Sequence, residues 1–210
     1  MKTKVTYLLF ILMAPILINS CTKKESDRLS VKDLEQLHQE VKQLINYELI
    51  VEAINHVEDN SIKKETPEQQ EAWNLYLENV AYTNQYGVDA LLRSKGYNDK
   101  VLNVILDLHN YKIQHGEIDE NEYQYLIDHY NISREDFKLA FMGYEIYEIA
   151  KATLPQNRNC NLDDPWGCAL AIAGTVATTL GAMTVTGGVG LVVFLASKAI
   201  ATASVIHSCT

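Results

Sequence analysis

The sequence predicts an all-α fold: a helical bundle of about five amphipathic helices with a C-terminal apolar hairpin rich in glycine and alanine. Three observations point there. Across residues 30–154, apolar side chains return every three or four positions, which places them on one face of a helix. Helix-starting and helix-stopping residues bracket each of these stretches, and no convincing strand pattern interrupts them. Residues 167–197 then run without a single formal charge, broken once by a glycine cluster.

The first helix opens at Ser30, which forms a capping box with Asp33. Leu34, Leu37, Val41, Leu44 and Ile45 give it one buried stripe, and the periodicity carries it to about residue 58. The second starts with Thr66 as N-cap, Pro67 at the first helical position, Glu68 in the first turn and Gln69 at N3. It bears Trp73, Leu77, Val80 and Leu91 and ends at Gly96. A third helix carries Val101, Ile105, Leu108 and Lys112 and stops near Gly116. Asp119 and Glu122 start a short fourth helix through Tyr125, Leu126 and Tyr130. Ser133 opens the fifth, with Phe137, Phe141, Tyr144 and Ile149, and Pro155 limits it. Residues 155–165 are turn formers and read as a linker.

In the apolar tail, Thr186, Gly187, Gly188 and Gly190 divide the run into two helices, about 166–185 and 190–207, folded back as a hairpin. Ala169, Ala173 and Ala177 lie four apart, as do Gly174 and Thr178, so a neighbouring backbone can come close. The hairpin brings Cys168 and Cys209 to one end, a candidate disulfide for which Cys160 is a competing partner. Closing so long a loop contributes about 4 kcal/mol through the unfolded state. The cysteines do not have zinc-site spacing.

The chain carries a net charge of −9. Lys198 is the only formal charge in residues 166–210, so the acidity is concentrated in the helical region before the tail. Nucleic-acid binding is excluded on this ground, since it relies on lysine and arginine to neutralise phosphates. The acidic surface serves chiefly to keep the domain soluble.

The N-terminus reads MKTKVTYLLFILMAPILINSC. Lys2 and Lys4 precede an apolar run over residues 7–18, too short for an ordinary transmembrane helix. The run closes on Ile18, Asn19, Ser20 and Cys21. This resembles the signal peptide and lipobox of a bacterial lipoprotein, with Asn19 as a less usual occupant of its position. The resemblance implies cleavage by signal peptidase II before Cys21, a diacylglycerol on the Cys21 sulfur and a further acyl chain on the new amino terminus. Two or three acyl chains make a lasting anchor without a transmembrane helix. Thr22 stands where a retention aspartate is found in enterobacteria, and Lys23, Lys24 and Glu25 resemble a surface-export signal, so the expected location is the outer membrane. The organisation expected is then a cleaved signal (1–20), a lipidated cysteine and tether (21–29), an acidic helical region (30–154), a linker (155–165) and the hairpin (166–210).

The hairpin has three readings: a domain core, a membrane span, or a device that inserts into a target membrane. A span is disfavoured by Lys198, because a lysine at the bilayer centre costs roughly 2.5 to 3.5 kcal/mol. The third reading arises because a Gly/Ala-rich hairpin beneath amphipathic helices resembles colicin-type pore-forming domains and membrane-active bacteriocins. In that case residues 166–207 insert, with Gly187, Gly188 and Gly190 at the turn and Lys198 beside a water-filled lumen.

No catalytic or metal-binding motif emerges, and no cofactor is implied. There is no G-x-S-x-G elbow, and the glycine cluster follows no strand and precedes no lysine in the way a phosphate loop requires. Glu35 and His38 have Glu-x-x-His spacing without the second copy that a di-iron bundle needs, and read as an exposed helix pair. Glu48, Glu52 and His56, and Asp107 with His109, read as solvated faces. Tyr76, Tyr82, Tyr86, Tyr123, Tyr125, Tyr144 and Tyr147 read as a core rim. The sequence thus points to a lipid-anchored envelope protein, not an enzyme, with a structural or partner-binding domain and an envelope protein as partner; target-membrane insertion is the alternative.

Overall fold

A computed structural model describes residues 29–55, 65–154, 165–183 and 188–203. The signal-like segment with Cys21, and also His56, Cys160, Gly187 and Cys209, lie outside them. Every regular element among the described residues is a helix, and these helices belong to one packing unit.

The first apolar stripe builds two helices where one was expected. α1 spans Val31–Leu44 and α2 spans Tyr47–Asn55. The break falls at Asn46, whose Oδ1 accepts the amide hydrogen of Leu49 at 3.0 Å. An asparagine in this role starts a helix better than it continues one, because its side chain competes with the backbone ladder. The second stretch divides as well. α3 (Pro67–Tyr86) opens on the expected capping box: Gln69 N donates to Thr66 Oγ1 at 3.2 Å and Thr66 N donates to Gln69 Oε1 at 2.9 Å. It ends at Gly87, with φ of 84° and ψ of 160°, before α4 (Val88–Ser94) begins. That backbone conformation is essentially reserved for glycine, so the helix cannot run straight through to Gly96.

The later elements follow the expected signals. α5 is Val101–His115 and α6 is Glu120–His129, the latter capped by Asp119, which accepts from the amides of Asn121 and Glu122. α7 (Arg134–Thr153) opens on a capping box between Ser133 and Asp136. The apolar tail forms α8 (Pro165–Ala182) and α9 (Gly188–Ala201), so the second helix begins at Gly188, inside the glycine cluster expected to form the turn, and ends at Ala201, short of the expected residue 207.

α7 and α8 make the centre of the bundle. In α8, residues 171–180 are buried without a break, as a helix apolar on every side requires. Its most extensive partner is α7, and α3, α4 and α9 cover the rest. Small residues let these helices close up. A Cβ on Gly143 would stand 2.5 Å from Ile105 Cδ1, and one on Gly174 would stand 2.5 Å from Val88 Cγ2. Ala169, Ala173 and Ala177 are all buried.

The threonines of α8 are buried too, and each finds partners. Thr178 and Thr179 donate to the carbonyls of Gly174 and Thr175 at 2.6 and 2.8 Å. From α3, Asn79 Nδ2 donates to Thr179 Oγ1 at 3.0 Å, and the hydroxyls of Thr83 and Thr175 meet at 3.2 Å. Buried polar groups satisfied in this way fix the register of α3 on α8. Among the described residues no helix is long and apolar enough to cross a membrane.

Lys198 is held by an acid and two aromatic rings. It lies in the last turn of α9, where Nζ reaches Glu65 Oε1 at 2.5 Å. The same ammonium sits 4.2 Å from the Trp73 ring centroid and 5.2 Å from that of Phe194. A cation over an indole face adds about 0.5 to 1 kcal/mol to the pairing.

Candidate functional site

The polar chemistry of the domain gathers along α7. Residues 141–150 are buried except Glu145 and Glu148, whose side chains are 17% and 19% exposed. Each of these carboxylates meets a histidine from a flanking helix.

His38 of α1 is fully buried. Its Nε2 lies 2.9 Å from Glu145 Oε1, and its Nδ1 lies 2.9 Å from the hydroxyl of Tyr123 on α6. An ionised carboxylate only accepts, so Nε2 carries the proton and Nδ1 accepts from Tyr123. The imidazole lies flat on Phe141, with centroids 4.4 Å apart and planes 9° from parallel. Burial holds the imidazole pKa below its usual 6.5, against the upward pull of Glu145. Tyr123 is pushed up to about 12, first by burial and then by Glu35, Glu145 and Asp119.

His109 of α5 takes the opposite tautomer. Its Nδ1 bonds Glu148 Oε1, and its Nε2 accepts from Lys151 Nζ at 3.0 Å. An ammonium only donates, so Nε2 presents its lone pair to Lys151 and Nδ1–H points to Glu148. Lys112 Nζ donates to Glu148 Oε2 at 3.0 Å, and Tyr147 stands edge-on to the imidazole at 5.1 Å. Between the two pairs, Tyr144 is buried, and its phenol is driven well above the ordinary range by burial and then by Glu148 and Glu145.

These findings correct two expectations. Of the supposed exposed pair, Glu35 is at the surface but His38 is fully buried, because the protein supplies both hydrogen-bond partners and an aromatic face. His109 is buried for the same kind of reason, while Asp107 accepts from the Tyr130 hydroxyl at 2.7 Å. Glu48 and Glu52 are solvent-exposed as expected. The tyrosines divide: Tyr76, Tyr123, Tyr144 and Tyr147 are buried, whereas Tyr82, Tyr86 and Tyr125 are exposed.

A second polar cluster surrounds the start of α6. Glu122 is buried, and its Oε1 meets no donor. Burial first, then the charges of Asp107 and Asp119, push its carboxyl up to about 7. Asp119 accepts from the Tyr111 hydroxyl at 2.7 Å, which holds it below its usual range. Among the described residues no group of three or more His, Cys, Asp or Glu is placed to hold a metal ion.

The residues singled out in the tail do not converge on one site. Cys168 is buried and disulfide-bonded, with the other half of the bridge outside the described residues. Gly188 has φ of 58°, Gly190 has open space around its Cα, and Lys198 lies at the far end of α9. A cleft of about 150 Å³ lined by Tyr97, Glu135, Lys138, Met142, Leu180 and Gly181 shares no residue with either histidine pair.

Chemically, each pair is an imidazole held in one tautomer by a carboxylate, the arrangement that orients a general base. In this conformation both nitrogens of each ring are already bonded within the protein. Comparison of the chain with protein-family models, with curated proteins and with solved structures finds no match.

Proposed function

We propose that this is a lipid-anchored protein of a bacterial envelope, tethered through acyl chains on Cys21, whose all-helical domain works by binding a protein partner. One observation supports the reading of the domain. Its most apolar segment is used inside the bundle, with residues 171–180 buried and Lys198 held by Glu65 and Trp73. A hairpin employed as core does not serve as a second anchor unless the fold is dismantled, which leaves attachment to the Cys21 lipid.

Both histidines are bonded within the protein, which favours binding over chemistry. On the outside, the net charge of −9 and the exposed aromatic pair Tyr82 and Tyr86, with centroids 4.8 Å apart, suit a partner with a cationic, partly apolar face.

Two measurements on the full chain in bacterial envelopes test this. Cys21→Ser should abolish incorporation of labelled fatty acid and release the protein from membranes in a high-salt wash; persistent labelling or retention would overturn the anchor. A photo-crosslinking residue at position 86 of the lipidated chain should give one discrete protein adduct that weakens at high salt. Crosslinking to lipid alone, or none, would overturn the binding role.

A further inference from the structure

The α6 helix leans chiefly on α1 and α5, and it is the element that covers His38. Three contacts hold it there. Tyr123 bonds His38 Nδ1 and stands edge-on to both His38 and Phe141. Tyr130, just after the helix, donates to Asp107 of α5. Glu122 turns a carboxyl inward, where Oε1 is buried without a donor.

The third contact costs least while that carboxyl is neutral. An unpaired carboxylate in such a position costs far more than an unpaired acid. The charges that act on Glu122 are Asp107 from α5 and Asp119 from the α6 cap, both negative. Tyr111, Tyr125 and Tyr130, all nearby, are phenols held above their ordinary range and therefore neutral. From α1, Glu35 acts on Tyr123, as does Glu145 from α7, and both of these are acids as well. Nothing in this set compensates a charge on Glu122.

We infer that α6 is a proton-gated cover, docked while Glu122 is neutral and loosened when Glu122 ionises between Asp107 and Asp119, which frees His38 Nδ1 from Tyr123. The freed imidazole keeps Glu145 on its other nitrogen, so opening turns a closed structural pair into an oriented base that solvent can reach. The sign follows from the carboxyl, pushed up to about 7 in the docked state and returning toward 4.5 in the open one. Docking is then strongest at acidic pH and weakens as pH rises through both values.

Amide hydrogen exchange, corrected for intrinsic rates, tests this on the intact chain. Between about pH 6 and about pH 8.5 the opening of residues 120–129 should rise about tenfold, while residues 136–150 stay protected. Exchange at the His38 ring carbon should rise in parallel. Glu122→Gln should flatten the profile. Asp107→Asn, which keeps an acceptor for Tyr130, should end the rise at lower pH and make it smaller. An unchanged opening in the parent chain, a pH-dependent rise retained in Glu122→Gln, or a profile unaltered by Asp107→Asn would each overturn the inference.

Discussion

Asn79 donates from its side-chain amide to the hydroxyl of Thr179, joining two buried residues one hundred positions apart. Thr179→Val keeps the volume but leaves the amide unpaired, and should destabilise the domain by about 1 to 3 kcal/mol. Adding Asn79→Leu removes the orphaned donor and should recover a good part of that loss. Urea unfolding of the single and double variants checks this; strictly additive losses would show that the bond has no role of its own.

Gly174 marks a close approach of α8 to α4, with a Cβ there 2.5 Å from Val88 Cγ2. Gly174→Ala should cost about 1 to 3 kcal/mol through overpacking. Val88→Ala on the same background should restore stability above that of Gly174→Ala alone. Thermal denaturation of the pair decides it, since a simple helix-propensity effect would leave Gly174→Ala more stable than the parent.

The pH response of His38 runs opposite to that of Glu122. Its folded-state pKa lies below 6.5. The neutral ring therefore contributes stability that is fully present above 6.5 and lost as pH falls through the folded value. His38→Gln, which can still donate to Glu145 and accept from Tyr123, should remove that share of the acid-side loss. Urea midpoints measured on the acid side would show a flatter profile, whatever happens to stability at neutral pH. A profile as steep as the parent's would assign the acid sensitivity elsewhere.

Lys198 provides a test of the insertion alternative. Lys198→Glu sets a second carboxylate against Glu65 and removes the cation from Trp73, and should destabilise the partly exposed contact by about 1 kcal/mol or more. If the hairpin is simply core, neither the parent domain nor this weakened variant should release dye from anionic liposomes. Leakage that rises as the Glu65 contact is lost would instead favour a hairpin freed for insertion.

Much of this architecture is legible in the residues themselves. Thr66, Pro67 and Gln69 announce the start of α3, and Ser133 the start of α7, because capping is a local matter settled within four residues. The breaks at Asn46 and Gly87 are less visible, since the apolar period continues across them and only side-chain competition and a positive φ reveal the stop. The histidine pairs are hidden for a different reason. Glu145 joins a histidine 107 positions away, and no local spacing encodes such a meeting. A trace of it does exist: two carboxylates inside the apolar run of Tyr144, Ile146, Tyr147 and Ile149 leave no solvent face for both, so each needs a buried partner.

The central position of α8 also bears on how the chain comes to be folded. Residues 165–182 are made after α3, α4 and α7, yet these three helices pack extensively against this one segment. Until it emerges, α3, α4 and α7 have exposed surfaces and no template to close on. Assembly is therefore governed by distant contacts and completes only once α8 is available. Chains stopped short of α8 should be aggregation-prone fragments rather than small domains, and a holding chaperone would matter most just before synthesis ends.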